Sequence, residues 1–340
     1  LSGVAFAALS QRDLVGATPP PFAPKARRVI QLFMTGGASP MDTYDYKPAL
    51  AKYDGQKLGP KIKPEGQTGE PGSVMKSPFE FKQYGQSGKW VSSVFPEQAK
   101  HVDEMAFFLA MASKTNVHGP GTYMMNSGFI LPGFPCMGAW ISYALGNLTD
   151  NLPTFVVLPD AKGLPYNQRG CFSSGFLPAV HQGTVINAAN PQAVPDLLAS
   201  DKFSSVNRAT DRDGLHLLNI LNRENAKRNP GDSRLDARIS SYELAAKMQL
   251  SAPEAFDISR ETQQTQNAYG LDEKQSEDFG KRCLLARRLI ERGVRFVQLF
   301  LGGQPWDNHN NIRTGLPDIC RKTDKPSAAL VKDLKQRGLL

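Results

Sequence analysis

Four short apolar runs set the main constraint on how this chain folds. They are Arg28-Val-Ile-Gln-Leu-Phe-Met34, Met105-Ala-Phe-Phe-Leu-Ala-Met111, Thr154-Phe-Val-Val-Leu158 and Val294-Arg-Phe-Val-Gln-Leu-Phe-Leu301. Each is nearly continuous in apolar residues and bounded by turn formers. A strand with one wet face alternates apolar and polar residues. A continuous run marks a strand covered on both faces, as in a parallel sheet flanked by helices. Helical patterns separate the runs. Met137 to Leu145 stops at Gly146, and residues 240–250 follow a charged loop. Residues 277–292 set Phe279, Cys283, Leu284, Leu289 and Ile290 on one side before Gly293. That helix feeds directly into the fourth run, which makes an αβ unit. The predicted fold class is α/β, with a mostly parallel sheet.

A last helix is expected from Pro326, which suits a first turn, with Leu330, Val331 and Leu334 as its stripe and Gly338 as its C-cap. Another strand should follow, but the 340 residues stop at Leu339-Leu340, so the sheet is expected to be incomplete at the C-terminus. The opening Leu1-Ser-Gly-Val-Ala-Phe-Ala-Ala-Leu9 and the proline-rich Thr18-Pro-Pro-Pro-Phe-Ala-Pro24 read as a signal-peptide remnant and linker over 1–24. A frayed N-terminal helix is the other reading. On the first, the protein is exported, and 25–340 form one partial domain. Residues 53–89 and 187–235 read as excursions from the core, either surface loops or inserted helices.

Composition narrows the partners. The 40 Lys and Arg against 32 Asp and Glu leave a net charge of +8, with 21% charged and 40% apolar residues. That excludes an acidic disordered tail and a coiled coil. The basic residues form no block, so nucleic acid is not an expected partner, whereas an anionic substrate suits the charge. No apolar run reaches the roughly eighteen residues of a membrane span. The four cysteines, Cys136, Cys171, Cys283 and Cys320, include no C-x-x-C pair and make no disulfide scaffold.

Ligands of open α/β sheets gather outside the carboxyl ends of the strands. The first run is followed by Thr35-Gly-Gly-Ala-Ser-Pro-Met-Asp42-Thr-Tyr-Asp45, and the fourth by Gly302-Gly-Gln-Pro-Trp306-Asp307-Asn-His309. These two runs resemble each other, and each ends in a Gly pair and then an aspartate. The second is followed by Lys114-Thr-Asn-Val-His118, the third by Pro159-Asp160. Carboxylates and an imidazole at one sheet edge suit Zn²⁺, Mn²⁺, Mg²⁺ or Ca²⁺. Alternatively, Asp307 and His309 are turn residues with a hydrogen-bonded imidazole. For a nucleophile, Cys136 stands at a predicted helix N-terminus, where the dipole would lower a thiol pKa. It equally fits a small buried residue at a helix start. Ser127, Thr43 and Thr122 compete with it. The chain has no G-x-S-x-G, H-E-x-x-H, P-loop or G-x-G-x-x-G motif.

Several segments together resemble a known family. They are Gln31-Leu-Phe-Met-Thr-Gly-Gly-Ala-Ser-Pro-Met-Asp42-Thr-Tyr-Asp45-Tyr-Lys47, Met137-Gly-Ala-Trp-Ile-Ser-Tyr-Ala-Leu-Gly146, Asn151-Leu-Pro-Thr-Phe-Val-Val-Leu158, Arg238-Ile-Ser-Ser-Tyr-Glu-Leu-Ala245 and Trp306-Asp307-Asn-His309. They resemble an exported, sulfatase-like bacterial family, domain of unknown function family fifteen-oh-one, of the alkaline-phosphatase-like superfamily. The resemblance implies a three-layer α/β/α fold and a metal-centred site for sulfate or phosphate esters, on small molecules or polysaccharides. It implies Asp42, Asp307 and His309 as metal ligands and a Ser, Thr or modified Cys nucleophile near a helix N-terminus. Cys136 occupies such a place but lacks the Cys-x-Pro-x-Arg context of formylglycine sulfatases, since Pro135 precedes it and Met137-Gly138 follow. The family's later Gly-Glu-Phe-Gly-Arg and Arg-Asp-His segments do not occur in these residues. The expectation is therefore a metal-dependent ester hydrolase lacking part of its ligand set and inactive in this form. The alternative is a non-catalytic surface binding or structural module on a decayed fold.

Overall fold

The computed structural model of the chain describes residues 23, 25–57, 72–188, 208–229 and 233–340. Its strands are β1 (Val29–Phe33), β2 (Phe81–Tyr84), β3 (Lys89–Ser92), β4 (Phe155–Leu158), β5 (Thr184–Val185) and β6 (Phe296–Phe300). Its α-helices are α1 (Pro48–Lys52), α2 (His118–Ser127), α3 (Met137–Leu145), α4 (Arg208–Arg228), α5 (Ser233–Phe256), α6 (Gln263–Ala268), α7 (Glu277–Glu291) and α8 (Ile312–Gln336).

The main sheet has the order β1-β6-β4-β5 with every pair parallel, and β2 and β3 form a separate antiparallel hairpin. The two mutually similar runs are therefore neighbours. They pair in register, Val29 with Phe296, Gln31 with Gln298 and Phe33 with Phe300. Their loops leave the sheet side by side.

Alternation along the strands builds two cores. Ile30, Leu32, Val156, Leu158, Val297 and Leu299 pack with Leu284, Leu285 and Leu289 of α7 and Leu316 and Leu330 of α8. On the opposite face Val29, Phe33, Phe155, Val157, Phe296 and Phe300 pack with Cys136, Ala139 and Ile141 at α3 and with Cys171 and Phe172. The fold is thus mixed α/β with helices on both faces of a parallel sheet, which is why β4 and β6 are buried along their whole length. Gly138 lets α3 lie directly on β4, since a Cβ there would meet the Phe155 ring at 2.6 Å.

Three sequence expectations need correction. Residues 105–111 form no strand, and Phe108 and Met111 stand 78% and 75% exposed. Strand composition alone does not bring the segment into the ladder, although the outer edge of β1 is unpaired among the described strands. Both edges of β6 are taken, and the outer edge of β4 pairs with the two-residue β5. The last helix does not start at Pro326. It begins at Ile312 and runs through both Pro317 and Pro326. Each interior proline costs about 3 kcal/mol of helix propensity. Burial of Leu316, Ile319, Cys320, Leu330 and Leu334 against the α7 layer outweighs this. The end of that helix is as expected, with Gly338 at φ +65° and the Leu339 amide donating to the Leu334 carbonyl at 2.8 Å. The third correction is the excursion at 53–89, which holds β2 and pairs it with β3 in a hairpin instead of forming loops or helices alone. The excursion at 187–235 contains a helix, as that reading allowed. It holds the 21-residue α4, although 189–207 and 230–232 lie outside the described residues.

The segment 1–24, read as signal-peptide remnant and linker, lies outside the described residues apart from Ala23. Among the described residues no helix is long and apolar enough to cross a membrane. All four cysteines are buried and free.

Candidate metal centre

The loops after β1 and β6 are clamped together just past the sheet. The Thr35 hydroxyl donates to the Leu301 carbonyl at 3.1 Å, and the Trp306 amide donates to the Thr35 carbonyl at 3.3 Å. Gly36, at φ +103°, sits so close to the second loop that a Cβ would lie 2.9 Å from the Gln304 carbonyl oxygen and 3.0 Å from the Asp307 nitrogen. Only glycine tolerates both that backbone angle and that approach. The Gly pair read from the sequence therefore sets where Asp307 stands.

Asp307 is met by two histidines. Its Oδ2 lies 2.9 Å from His118 Nε2 and 2.7 Å from His309 Nε2. One ligand atom from each of the three lies within 4.8 Å of the others. His118 is the first residue of α2, and His309 stands two residues beyond Asp307 on the β6 loop. The helix is held to the sheet by buried amides. Gln298 Nε2 donates to Gln31 Oε1 at 2.8 Å and to Asn126 Oδ1 at 2.6 Å, and Asn126 Nδ2 donates to the Thr122 carbonyl at 2.8 Å. Asn167 Nδ2 also donates to the Gly119 carbonyl at 2.7 Å, beside His118.

The structure thus brings Asp307 and His309 together and adds His118. The sequence reading placed His118 after a supposed strand and gave it no role. The chain has only five histidines, and one that opens a Gly-rich helix start was the available signal. Asp42 lies on the neighbouring loop but outside this group of three. It is 4% exposed. Its Oδ2 accepts from the Ser39 hydroxyl at 2.6 Å, while its buried Oδ1 has no hydrogen-bond partner in the structure. Buried carboxylate oxygens are ordinarily satisfied, so an orphaned one in a metal-like loop is consistent with a cation.

The nucleophile candidates lie elsewhere. Ser127 closes α2 at the far end from His118, about 13 Å away at about 1.5 Å per residue. Its hydroxyl donates to the Tyr123 carbonyl at 2.8 Å. Cys136 does stand at the N-cap of α3, with its amide donating to the Ser173 carbonyl at 3.0 Å. The expected lowering of its thiol pKa is reversed, because burial in the core pushes the thiol up to about 12 against the opposing helix amides. The Thr43 hydroxyl donates to the Ser39 carbonyl at 2.9 Å. Thr122 lies one helical turn beyond His118. It lines a cavity of about 490 Å³ with His118, Gln31, Leu32, Phe33, Met34, Val117 and Met125. A volume of that order suits a small ligand.

Two imidazoles and one carboxylate are a donor set that a divalent ion accepts while keeping positions open for water or substrate. The Gly36 contact and the amide network position the three side chains from separate elements, and the cavity opens beside them. The chain matches the family model described as "Protein of unknown function (DUF1501)" over residues 26–340. No curated protein and no solved structure matches it. On a match spanning nearly its whole length, the chain belongs to the DUF1501 family of proteins of unknown function.

Proposed function

We propose that this chain is an exported, metal-dependent hydrolase of sulfate or phosphate esters, built on an alkaline-phosphatase-like fold. The observation that carries the reading is the convergence of His118, Asp307 and His309 at the carboxyl ends of β1 and β6, beside a ligand-sized cavity. These three would hold Zn²⁺, Mn²⁺, Mg²⁺ or Ca²⁺, and the orphaned Oδ1 of Asp42 would serve the same ion or a second one. A divalent ion there would polarise the ester and stabilise charge on the group transferred.

The chain's own residues supply the rest. Asp307 Oδ2 lies within hydrogen-bond distance of both Nε2 atoms, which gathers the two imidazoles at one point; with an ion bound, those nitrogens and the carboxylate would turn to it. The net charge of +8 favours approach of an anion. In the overall reaction water's hydroxyl joins sulfur or phosphorus, its hydrogen joins the leaving alkoxide, and one ester bond breaks. The test is metal content of the purified protein and of His118→Ala, Asp307→Ala and His309→Ala, with turnover of nitrophenyl sulfate and nitrophenyl phosphate. Bound metal in the parent and loss in all three variants is expected. Equal metal content in all four proteins would sink the reading.

The places of Ser127 and Cys136 favour a second reading, a non-catalytic binding module at the cell surface. Neither side chain stands at the triad, and the Cys136 thiol is not activated. Turnover abolished by Asp42→Ala would exclude this module.

A further inference from the structure

We infer that the ester taken at this site is amphiphilic, with its anionic head at His118, Asp307 and His309 and an alkyl or aryl group in the cavity beside β1. The inference rests on the hydrolase reading and narrows its substrate class, setting sulfated polysaccharides aside. His118 joins the two halves, because it belongs to the triad and also lines the cavity. Among the cavity's described lining residues it is the only ionisable one. A site for a polyhydroxylated chain needs charged or amide groups directed at many hydroxyls, and each buried polar group left unpaired costs affinity. The lining does hold Gln31, Asn116, Ser113, Thr115 and Thr122, but the Gln31 side-chain oxygen is engaged by Gln298, and most of the exposed wall is apolar, from Leu32, Phe33, Met34, Val117 and Met125.

Three of those five also reach solvent. Met34 is 37%, Val117 36% and Met125 64% exposed, so they form the mouth of the cavity as well as its wall. Large apolar side chains gathered at one opening mark a binding surface more often than chance exposure does. Two of the three are methionines, whose flexible thioether chains adapt to ligands of different shape. The wall continues into the loop that carries Ser113 and Thr115. A few residues upstream that loop holds Phe108 and Met111, both largely exposed.

The test is calorimetric titration of the full chain with ethyl sulfate, octyl sulfate, octanol and dextran sulfate, and separately with zinc. Each methylene that leaves water is worth roughly a fourfold gain in affinity, so octyl sulfate should bind at least about tenfold tighter than ethyl sulfate even in an open cavity. Octanol should bind detectably without an anionic head. Met125→Asp, at an exposed position that the fold tolerates, should erase most of the chain-length preference and leave zinc affinity unchanged. Val117→Asp should repeat the effect. Equal binding of ethyl and octyl sulfate, or tighter binding of dextran sulfate that ignores Met125, would overturn the inference. The two failures read differently. Absent zinc binding fells the hydrolase reading and the head-group assignment with it. Absent chain-length preference, with zinc bound, fells the amphiphile alone.

Discussion

Asp160 and Asp307 hold equivalent places in the pattern of the chain and end in opposite chemistry. Each lies on the loop after a buried parallel strand, Asp160 two residues past β4 and Asp307 seven past β6, and those strands are neighbours. Asp160 is 3% exposed and is met by permanent cations. Arg282 lies 3.4 Å and Lys322 3.0 Å from its Oδ2, and the Lys162 amide donates to Oδ1 at 2.9 Å. Burial pushes its carboxyl up, but the Lys162 amide, Arg282 and Lys322 together hold it below the ordinary value. Asp307 is partly open and is met by two imidazoles. A guanidinium does not give up its proton, so Asp160 is committed to an ion pair. An imidazole can be neutral and ligate, so the group at Asp307 remains available to an ion. The identity of the partners, not the position of the aspartate, separates a structural carboxylate from a functional one.

Breaking each side of the comparison should give opposite readouts. Asp160→Ala carries the largest expected effect. Arg282 keeps Asp278 and the Phe300 carbonyl but loses one carboxylate in a site where its side chain is 1% exposed. Loss of about 3 kcal/mol of stability is expected, read as a lower urea midpoint, with zinc affinity unchanged. Asp307→Ala should invert this pattern. Zinc affinity should fall about a hundredfold, near 2.7 kcal/mol, while stability moves by less than about 1 kcal/mol because the pairs it loses are partly exposed. A large stability loss without any metal effect would return Asp307 to the structural class.

Gly36→Ala sharpens the comparison by moving the loop rather than the ligand. The added Cβ meets the Gln304 carbonyl and the Asp307 amide, and the left-handed backbone angle disfavours it further. A cost of about 1–3 kcal/mol is expected in melts, with weaker zinc binding although no ligand is changed. Wild-type zinc affinity in this variant would show that the clamp does not set the site. The smallest effect concerns acid. A carboxyl lowered in the folded state contributes stability that is complete above its ordinary value of 3.8 and is lost as pH falls through the folded value. Asp160→Asn should therefore flatten the fall in stability as pH drops below about 5. An unchanged acid limb would mean that Asp160 is not among the groups that drive it.

Much of the sheet was legible before any coordinates. β1, β4 and β6 fall inside three of the four apolar runs, because strands covered on both faces are nearly continuous in apolar residues. α3 and α7 ended at the expected glycines for an equally local reason. The second run did not form a strand, and nothing within residues 105–111 says so. Whether an apolar segment joins a sheet depends on where the rest of the chain packs it, since the outer edge of β1 stays unpaired among the described strands. The edge that was filled went to Thr184–Val185, too short to leave a pattern. α8 passed through two prolines for a similar reason, since its stripe against α7 outweighs a local preference.

The site divides along the same line. Chain order alone put Asp307 and His309 on one loop and recorded the Gly pairs after β1 and β6. Spacing along the chain is preserved in any fold, so such groupings are readable from sequence. The addition of His118, the separation of Ser127 from it and the burial of the Cys136 thiol were decided only in three dimensions. They depend on Gln31, Gln298 and Asn126 locking α2 against β1 and β6, and on the aromatic core closing over Cys136. Local sequence determined which strands and helices could exist. Long-range packing and buried hydrogen bonds decided which of their polar residues meet.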